Sequence, residues 1–393
     1  MPAVLLGLAV ALAAVNLRPA LASVGPVLTE LRADLGLSGG GAAVLTSVPV
    51  LCLGLLAPVA PALARRWGIE AVVALALGVL ATGLLVRVVG GTAALFAGTV
   101  LASGAIAVAN VLLPALVKRD FPASTGSMMG VYTMSLSGSA AVAAGTTAPL
   151  AEAAGGWRVG LGAWAVPAAA AALAWLPLAR RGAAGADPGG RGGGPLRRDP
   201  LAWQVTAFFG LQSLCFYAVL SWLPTVYRDQ GYSAVAAGAV LSVSALVQIP
   251  VTLLLPRLAA RARTQRPHAL AATVLTGLGL AGVLVAPTTA PYLWMVLLGI
   301  GQGGAFAVAL TLIVLRARTA TDTAGLSALA QSVGYVLAAS GPLLVGAVHD
   351  RTGSWTPPLL LLLALLVPQA VAGLLAGRPL HAGARGEIAS AAG

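Results

Sequence analysis

Apolar residues run through this chain in long blocks, separated by short breaks rich in Gly, Pro and Arg. The blocks predict helices at 3–29, 41–63, 70–89, 93–116, 125–149, 158–179, 201–226, 236–256, 268–287, 291–314, 324–347 and 356–376. Runs of about 18 or more apolar residues match a hydrocarbon layer about 30 Å thick, so the pattern reads as twelve membrane spans. One block breaks its own pattern. Within the first span, Ala14-Val15-Asn16-Leu17-Arg18-Pro19-Ala20 places an amide, a permanent cation and a helix-breaker in succession. Counted from Ala3 at about 1.5 Å per residue, Arg18 lies roughly 22 Å into the layer. An arginine at that depth costs at least ~2.5–3.5 kcal/mol on insertion scales, and no apolar block contains a carboxylate to offset it.

Composition agrees with the pattern: 59% of residues are hydrophobic and 9% charged. Soluble domains carry about 25% charged residues, which excludes an ordinary globular enzyme. A net charge of +12 would suit a nucleic-acid binder, but the arginines sit in short clusters between spans, where topology signals belong. They predict cytoplasmic termini and a multi-pass protein of the cytoplasmic (plasma) membrane. On that reading Arg65-Arg66, Lys118-Arg119, Arg257, Arg261, Arg316 and Arg318 are cytoplasmic, and Arg32, Arg87, Arg158, Arg228 and Arg351 face the opposite side. Cys52 and Cys215 fall in spans of different halves and read as buried thiols. Ala20-Leu21-Ala22 resembles a cleavage site, but no basic segment precedes Val4 and Arg18-Pro19 interrupts the approach. A retained first helix is expected; the short lead also fits a start further upstream.

The chain divides at a basic, Gly-rich linker, 180–199, into bundles at 1–179 and 200–377, with a tail at 378–393. The halves carry an echo of each other: Gly104-Ala-Ile-Ala-Val-Ala109 in the fourth span recurs as Gly304-Ala-Phe-Ala-Val-Ala309 in the tenth. Two parallel six-helix repeats joined by a cytoplasmic loop describe the major facilitator architecture, an all-α polytopic fold.

Several stretches point to one branch of that superfamily. They are Asn16-Leu-Arg18-Pro19-Ala-Leu-Ala-Ser23-Val-Gly25-Pro26, Leu31-Arg32-Ala-Asp34-Leu-Gly36-Leu-Ser38, Pro49-Val-Leu-Cys52-Leu-Gly54-Leu-Leu-Ala-Pro58 and Leu63-Ala-Arg65-Arg66-Trp67-Gly68. Asn110-Val-Leu-Leu-Pro114, Val117-Lys-Arg-Asp-Phe-Pro122 and Gln212-Ser-Leu-Cys-Phe-Tyr217-Ala-Val-Leu-Ser-Trp222-Leu-Pro224 complete the set. Over essentially its whole length the chain resembles the permeases grouped with cyanate and 2-nitroimidazole transporters. The resemblance implies transport by alternating access, with spans one, four, seven and ten lining the pathway. One departure stands out: the loop after the second span lacks the aspartate of the general superfamily pattern, having Ala57-Pro-Val-Ala-Pro-Ala62 before Arg65-Arg66.

Polar residues inside spans must face another helix or a cavity, because lipid offers them no partner. Arg18 leads the candidates, since its planar fork suits carboxylate-like or nitro-like oxygens. The competing reading has it bonding carbonyls of neighbouring helices and holding its half together. Asn16, Asn110, Gln212, Tyr217 and Gln302 join Arg18 through the pathway-lining spans that the resemblance implies. Tyr132, Gln248, Gln331 and Tyr335 follow, with interhelical hydrogen bonding as the alternative.

Acids and histidines lie at span ends or in loops, so no buried carboxylate relay is expected. Gly277-x-Gly279-x-x-Gly282 and Gly299-x-Gly301-x-x-Gly304 fit a dinucleotide pattern but sit in apolar spans with no preceding strand, where glycines let helices approach. Gly36-Leu37-Ser38-Gly39-Gly40 fits a nucleophile elbow but lies in a turn without a nearby His. No cofactor or metal and no enzymatic activity are expected. The reading is a secondary active or facilitative transporter, working as a monomer in the bilayer on a small anionic or polar solute. Efflux of toxic polar compounds is the alternative within transport, and a membrane receptor without transport is the alternative outside it.

Overall fold

The computed structural model describes residues 3–182 and 196–382, so most of the basic linker expected at 180–199 and of the tail at 378–393 lies outside the described residues. Every expected span is helical, though not every span is one helix. The first is split into α1 (Ala3–Asn16), α2 (Pro19–Ala22), a 3-10 turn at Gly25–Val27, and α3 (Leu28–Leu35). The second divides into α4 (Gly39–Leu56) and α5 (Val59–Trp67), bent by 55° at Ala57-Pro58. Then come α6 (Ile69–Val89), α7 (Thr92–Asp120) and α8 (Thr125–Ala154). The sixth span is α9 (Trp157–Gly162) and α10 (Ala165–Gly182). The second half is more regular: α11 (Pro200–Asp229), α12 (Ala234–Arg261), α13 (Arg266–Val285), α14 (Pro291–Arg316), α15 (Ala320–Thr352) and α16 (Thr356–Ala376).

Ten helical stretches of the described residues are long and apolar enough to cross a membrane, or eleven with the bent pair α4–α5. The expected fifth span is the one that does not qualify. Its helix, α8, has 30 residues, but Ser, Thr and Gly dilute its hydropathy.

The described helices form two compact units, Met1–Ala123 with Val131–Gly192 and Thr319–Ala328, and Ser124–Gly130 with Gly193–Arg318 and Leu329–Gly393. In the first unit α6 packs against α7 and α10, and α7 against α4. In the second, α14 packs against α12 and α13, and α16 against α11 and α13. The fourth and tenth spans are the most enclosed, each with 78% of its most apolar stretch buried.

The echoed hexapeptide does the same work in both units. A Cβ on Gly104 of α7 would lie 2.8 Å from Leu56 Cδ1 at the end of α4. A Cβ on Gly304 of α14 would lie 3.1 Å from Leu255 Cδ2 near the end of α12. Each glycine thus admits a leucine from the helix two spans earlier, which gives the sequence echo a packing reason. The dinucleotide-like glycines are contact points too: Gly279 faces Leu298 and the Trp294 carbonyl, and Gly299 faces the Ser244 carbonyl. The nucleophile-elbow pattern is a pair of helix caps. Gly36 ends α3 in the left-handed region at φ 63°, and the Ser38 hydroxyl accepts from the Gly41 amide at 3.1 Å to start α4.

Candidate functional site

Pro19 has no amide hydrogen to offer the carbonyl of Val15, and its ring crowds that turn, so α1 stops at Asn16. The chain crosses Leu17 and Arg18 and restarts with Arg18 as the N-cap of α2, where its carbonyl accepts from the Leu21 and Ala22 amides, each at 3.0 Å. The Arg18 side chain is half-buried at this break. Asn16 is buried, and its Nδ2 donates back to the Leu12 carbonyl at 2.8 Å, so this amide is engaged by its own helix.

A second arginine stands beside the break. Arg87, at the end of the expected third span, is in the last turn of α6 and fully buried. Its Nη1 donates to the Ala20 carbonyl at 2.8 Å, and its Nη2 to the Ser23 hydroxyl and the Leu161 carbonyl, both at 3.2 Å. Arg87 bonds carbonyls of neighbouring elements, the kind of contact weighed above for Arg18. Two apolar residues, Val88 and Val89, follow it before the helix ends, and that placement was the available signal.

Also in the first unit, the Tyr132 hydroxyl donates to Asn110 Oδ1 at 3.1 Å, joining α8 to α7 with both residues buried. In the second unit Gln212 is buried on α11, its Nε2 donating to Ser213 Oγ at 2.7 Å and to the Phe209 carbonyl at 3.1 Å. Cys215 is buried one turn on, and Gln302 of α14 is buried with its Nε2 without a partner. Tyr217 is half-buried against Phe216, edge to face at 5.4 Å. Gln331 is buried on α15, four residues before Tyr335, which stands edge-on to Phe209 at 5.2 Å. Gln248 is half-buried on α12 beside Gly303. The structure therefore joins Asn110 to Tyr132.

Arg316 differs from its expected place in a loop. It is buried at the end of α14, with Nε donating to the Ala376 carbonyl at 2.8 Å and Nη2 to Gln265 Oε1. Cys52 and Cys215 are free thiols, and among the described residues no three His, Cys, Asp or Glu are grouped to hold a metal. A cavity of about 430 Å³ in the first unit is lined by Glu30, Asp34, Glu152, Trp157 and Arg158 among others, and by none of the candidate site residues. Asp34 there accepts from Arg158 Nη1 at 2.5 Å and from Trp157 Nε1 at 3.1 Å.

The family model described as Major Facilitator Superfamily matches residues 4–339. The chain belongs to that superfamily. It is 42% identical to an uncharacterised transporter of Bacillus subtilis (strain 168), over 93% of this chain and 91% of that one. It is 36% identical to the 2-nitroimidazole transporter of Escherichia coli (strain K12), over 93% of each. With the cyanate transport protein of the same organism it shares 31% identity over 88% of this chain and 91% of that one. The branch indicated by the Asn16–Pro26 stretch and its companions is thus the one in which curated relatives are found. Among solved structures, the proton:xylose symporter bound to 6-bromo-6-deoxy-D-glucose matches 98% of both chains with a TM-score of 0.77 at 11% identity, which shows the fold. This is a multi-pass membrane transporter of the major facilitator fold.

Proposed function

We propose that this transporter moves a small anionic or strongly dipolar solute, of the cyanate, nitrite or nitro-compound kind, by alternating access, and that Arg18 meets the solute. The carrying observation is the break between α1 and α2, which sets a half-buried guanidinium at a helix interruption inside the first span. A planar fork of donors suits both the terminal atoms of a linear anion and the two oxygens of a nitro group. Relatives named for 2-nitroimidazole and cyanate, each aligned over most of this chain, support that solute class. Asn110 and Tyr132 in the first unit, and Gln212, Tyr217, Gln302 and Gln331 in the second, supply neutral polar contacts; Asn16 supports the break. The imbalance of arginines supports cytoplasmic termini in the cytoplasmic membrane. The protein works as a monomer.

The test is a thermal-shift screen of purified protein against cyanate, nitrite, small carboxylates and nitroaromatics, beside Arg18→Ala. The expected result is a compound that stabilises the parent and leaves the variant unmoved. Uptake of that compound into proteoliposomes then separates transport from binding alone. A compound that stabilises both proteins equally would remove Arg18 from the site.

A further inference from the structure

We propose that Arg87 is the positioning residue for the substrate site: it fixes the interrupted first helix and, through it, the direction in which Arg18 is presented. The inference rests on the reading of Arg18 given above. α2 is only four residues long, too short to hold a direction by its own hydrogen bonds, and Arg18 is its N-cap. Arg87 grips this segment at two places, the Ala20 carbonyl inside α2 and the hydroxyl of its C-cap Ser23. Its third bond, to the Leu161 carbonyl, ties the grip to α9. Three acceptors on two chain segments require a planar, multiply donating head; a lysine ammonium, at the end of a flexible stem, does not match that fixed fork.

The anchor itself is held rigidly. Gly83 on α6 and Gly98 on α7 bring the two backbones together at the level of Arg87: a Cβ on Gly83 would lie 2.7 Å from the Ala102 amide nitrogen, and one on Gly98 2.5 Å from the Gly83 carbonyl. The stem of Arg87 therefore starts from a fixed point, and the guanidinium transmits that position to α2. All three partners are neutral and Nε is buried without a partner, so this cation does not form a salt bridge that would account for its place. For the protein the burial of such a charge is costly, and what it secures is the geometry of the break.

Two measurements test this. The first is 2-nitroimidazole uptake by Arg87→Lys, Arg18→Gln and the double variant in proteoliposomes. Each single change is expected to raise KM by about tenfold, the size of one lost hydrogen bond to a charged group. The double variant is expected to match Arg18→Gln alone, because Arg87 acts only through Arg18. The second needs no solute. In a Cys52→Ala, Cys215→Ala background, the rate at which a methanethiosulfonate reagent labels Arg18→Cys is expected to change at least about fivefold when Arg87→Lys or Ser23→Ala is added. Labelling of Gln230→Cys, exposed in the other unit, should stay the same, which separates positioning from general loosening. Ser23→Ala removes one acceptor with little loss of volume and carries the test if Arg87→Lys does not fold. An unchanged KM in Arg18→Gln would sink the reading of Arg18. Independent, multiplying effects of the two arginines, or an unchanged labelling rate, would sink the role of Arg87.

Discussion

Arg316→Met is the sharpest test of how this protein uses its cations, because Arg318 lies two residues away on the exposed surface. Removing the guanidinium of Arg316 leaves the Ala376 carbonyl and Gln265 Oε1 without these donors in a buried setting. Each buried acceptor so stranded costs about 1–3 kcal/mol, hence about 2–6 kcal/mol together. Methionine returns part of this, since it fills most of the volume and removes a buried charge. The node is larger than the two bonds. Gln265 Nε2 also holds the Ala259 and Ala262 carbonyls, and the Ala382 amide donates to the Arg316 carbonyl, so α12, α13, α14 and the end of α16 meet there. A net loss of about 2–4 kcal/mol is expected, which at about 2–4 °C per kcal/mol lowers the melting temperature by roughly 5–15 °C. Arg318→Met, at an exposed position, should cost clearly less. The assay is thermal unfolding of detergent-purified variants followed by intrinsic tryptophan fluorescence. Equal shifts in the two variants, or none in Arg316→Met, would refute the distinction between a buried pin and a surface charge.

Two further outcomes follow from the packing. Gly301→Ala drives a Cβ against the backbone of α13 at Ala272 and Thr276, whereas Gly104→Ala meets only the mobile end of Leu56. The first should therefore destabilise by about 1–3 kcal/mol and the second by clearly less, read as melting temperatures of the two variants. Tyr132→Phe deletes the hydroxyl that bonds Asn110 Oδ1 without opening a cavity. It should cost about 1 kcal/mol, and a melting temperature equal to the parent's would mean that the bond contributes nothing.

Span order was readable because it depends on composition averaged over some twenty residues. That averaging also hides breaks. The first block reads as a single apolar run, yet Pro19 and Pro26 each remove a backbone donor and divide it into four pieces. The sixth block breaks at Ala163-Trp164, where Pro167 leaves the Ala163 carbonyl without its helical donor. The burial of Arg87 and Arg316 is hidden for a different reason. In sequence, a guanidinium that snorkels to the interface and one that bonds buried carbonyls are the same letter; the partners that bury Arg87 and Arg316 lie 51 to 74 positions away. The glycines were readable in kind but not in partner. A spacing of Gly277, Gly279 and Gly282 announces close approach, and only the fold supplies Leu298 and Trp294 as what approaches.

The Arg87 anchor has a consequence for how the chain is made. Two of its acceptors, at Ala20 and Ser23, leave the ribosome before it does, but the third, at Leu161, lies 74 residues later. At about 5–20 residues per second, the third span waits some 4–15 seconds with this bond unmade. A nascent chain arrested before α9 emerges should hold the first span more loosely than one arrested after it. The sixth span thus completes an anchor that Arg87 begins on the first.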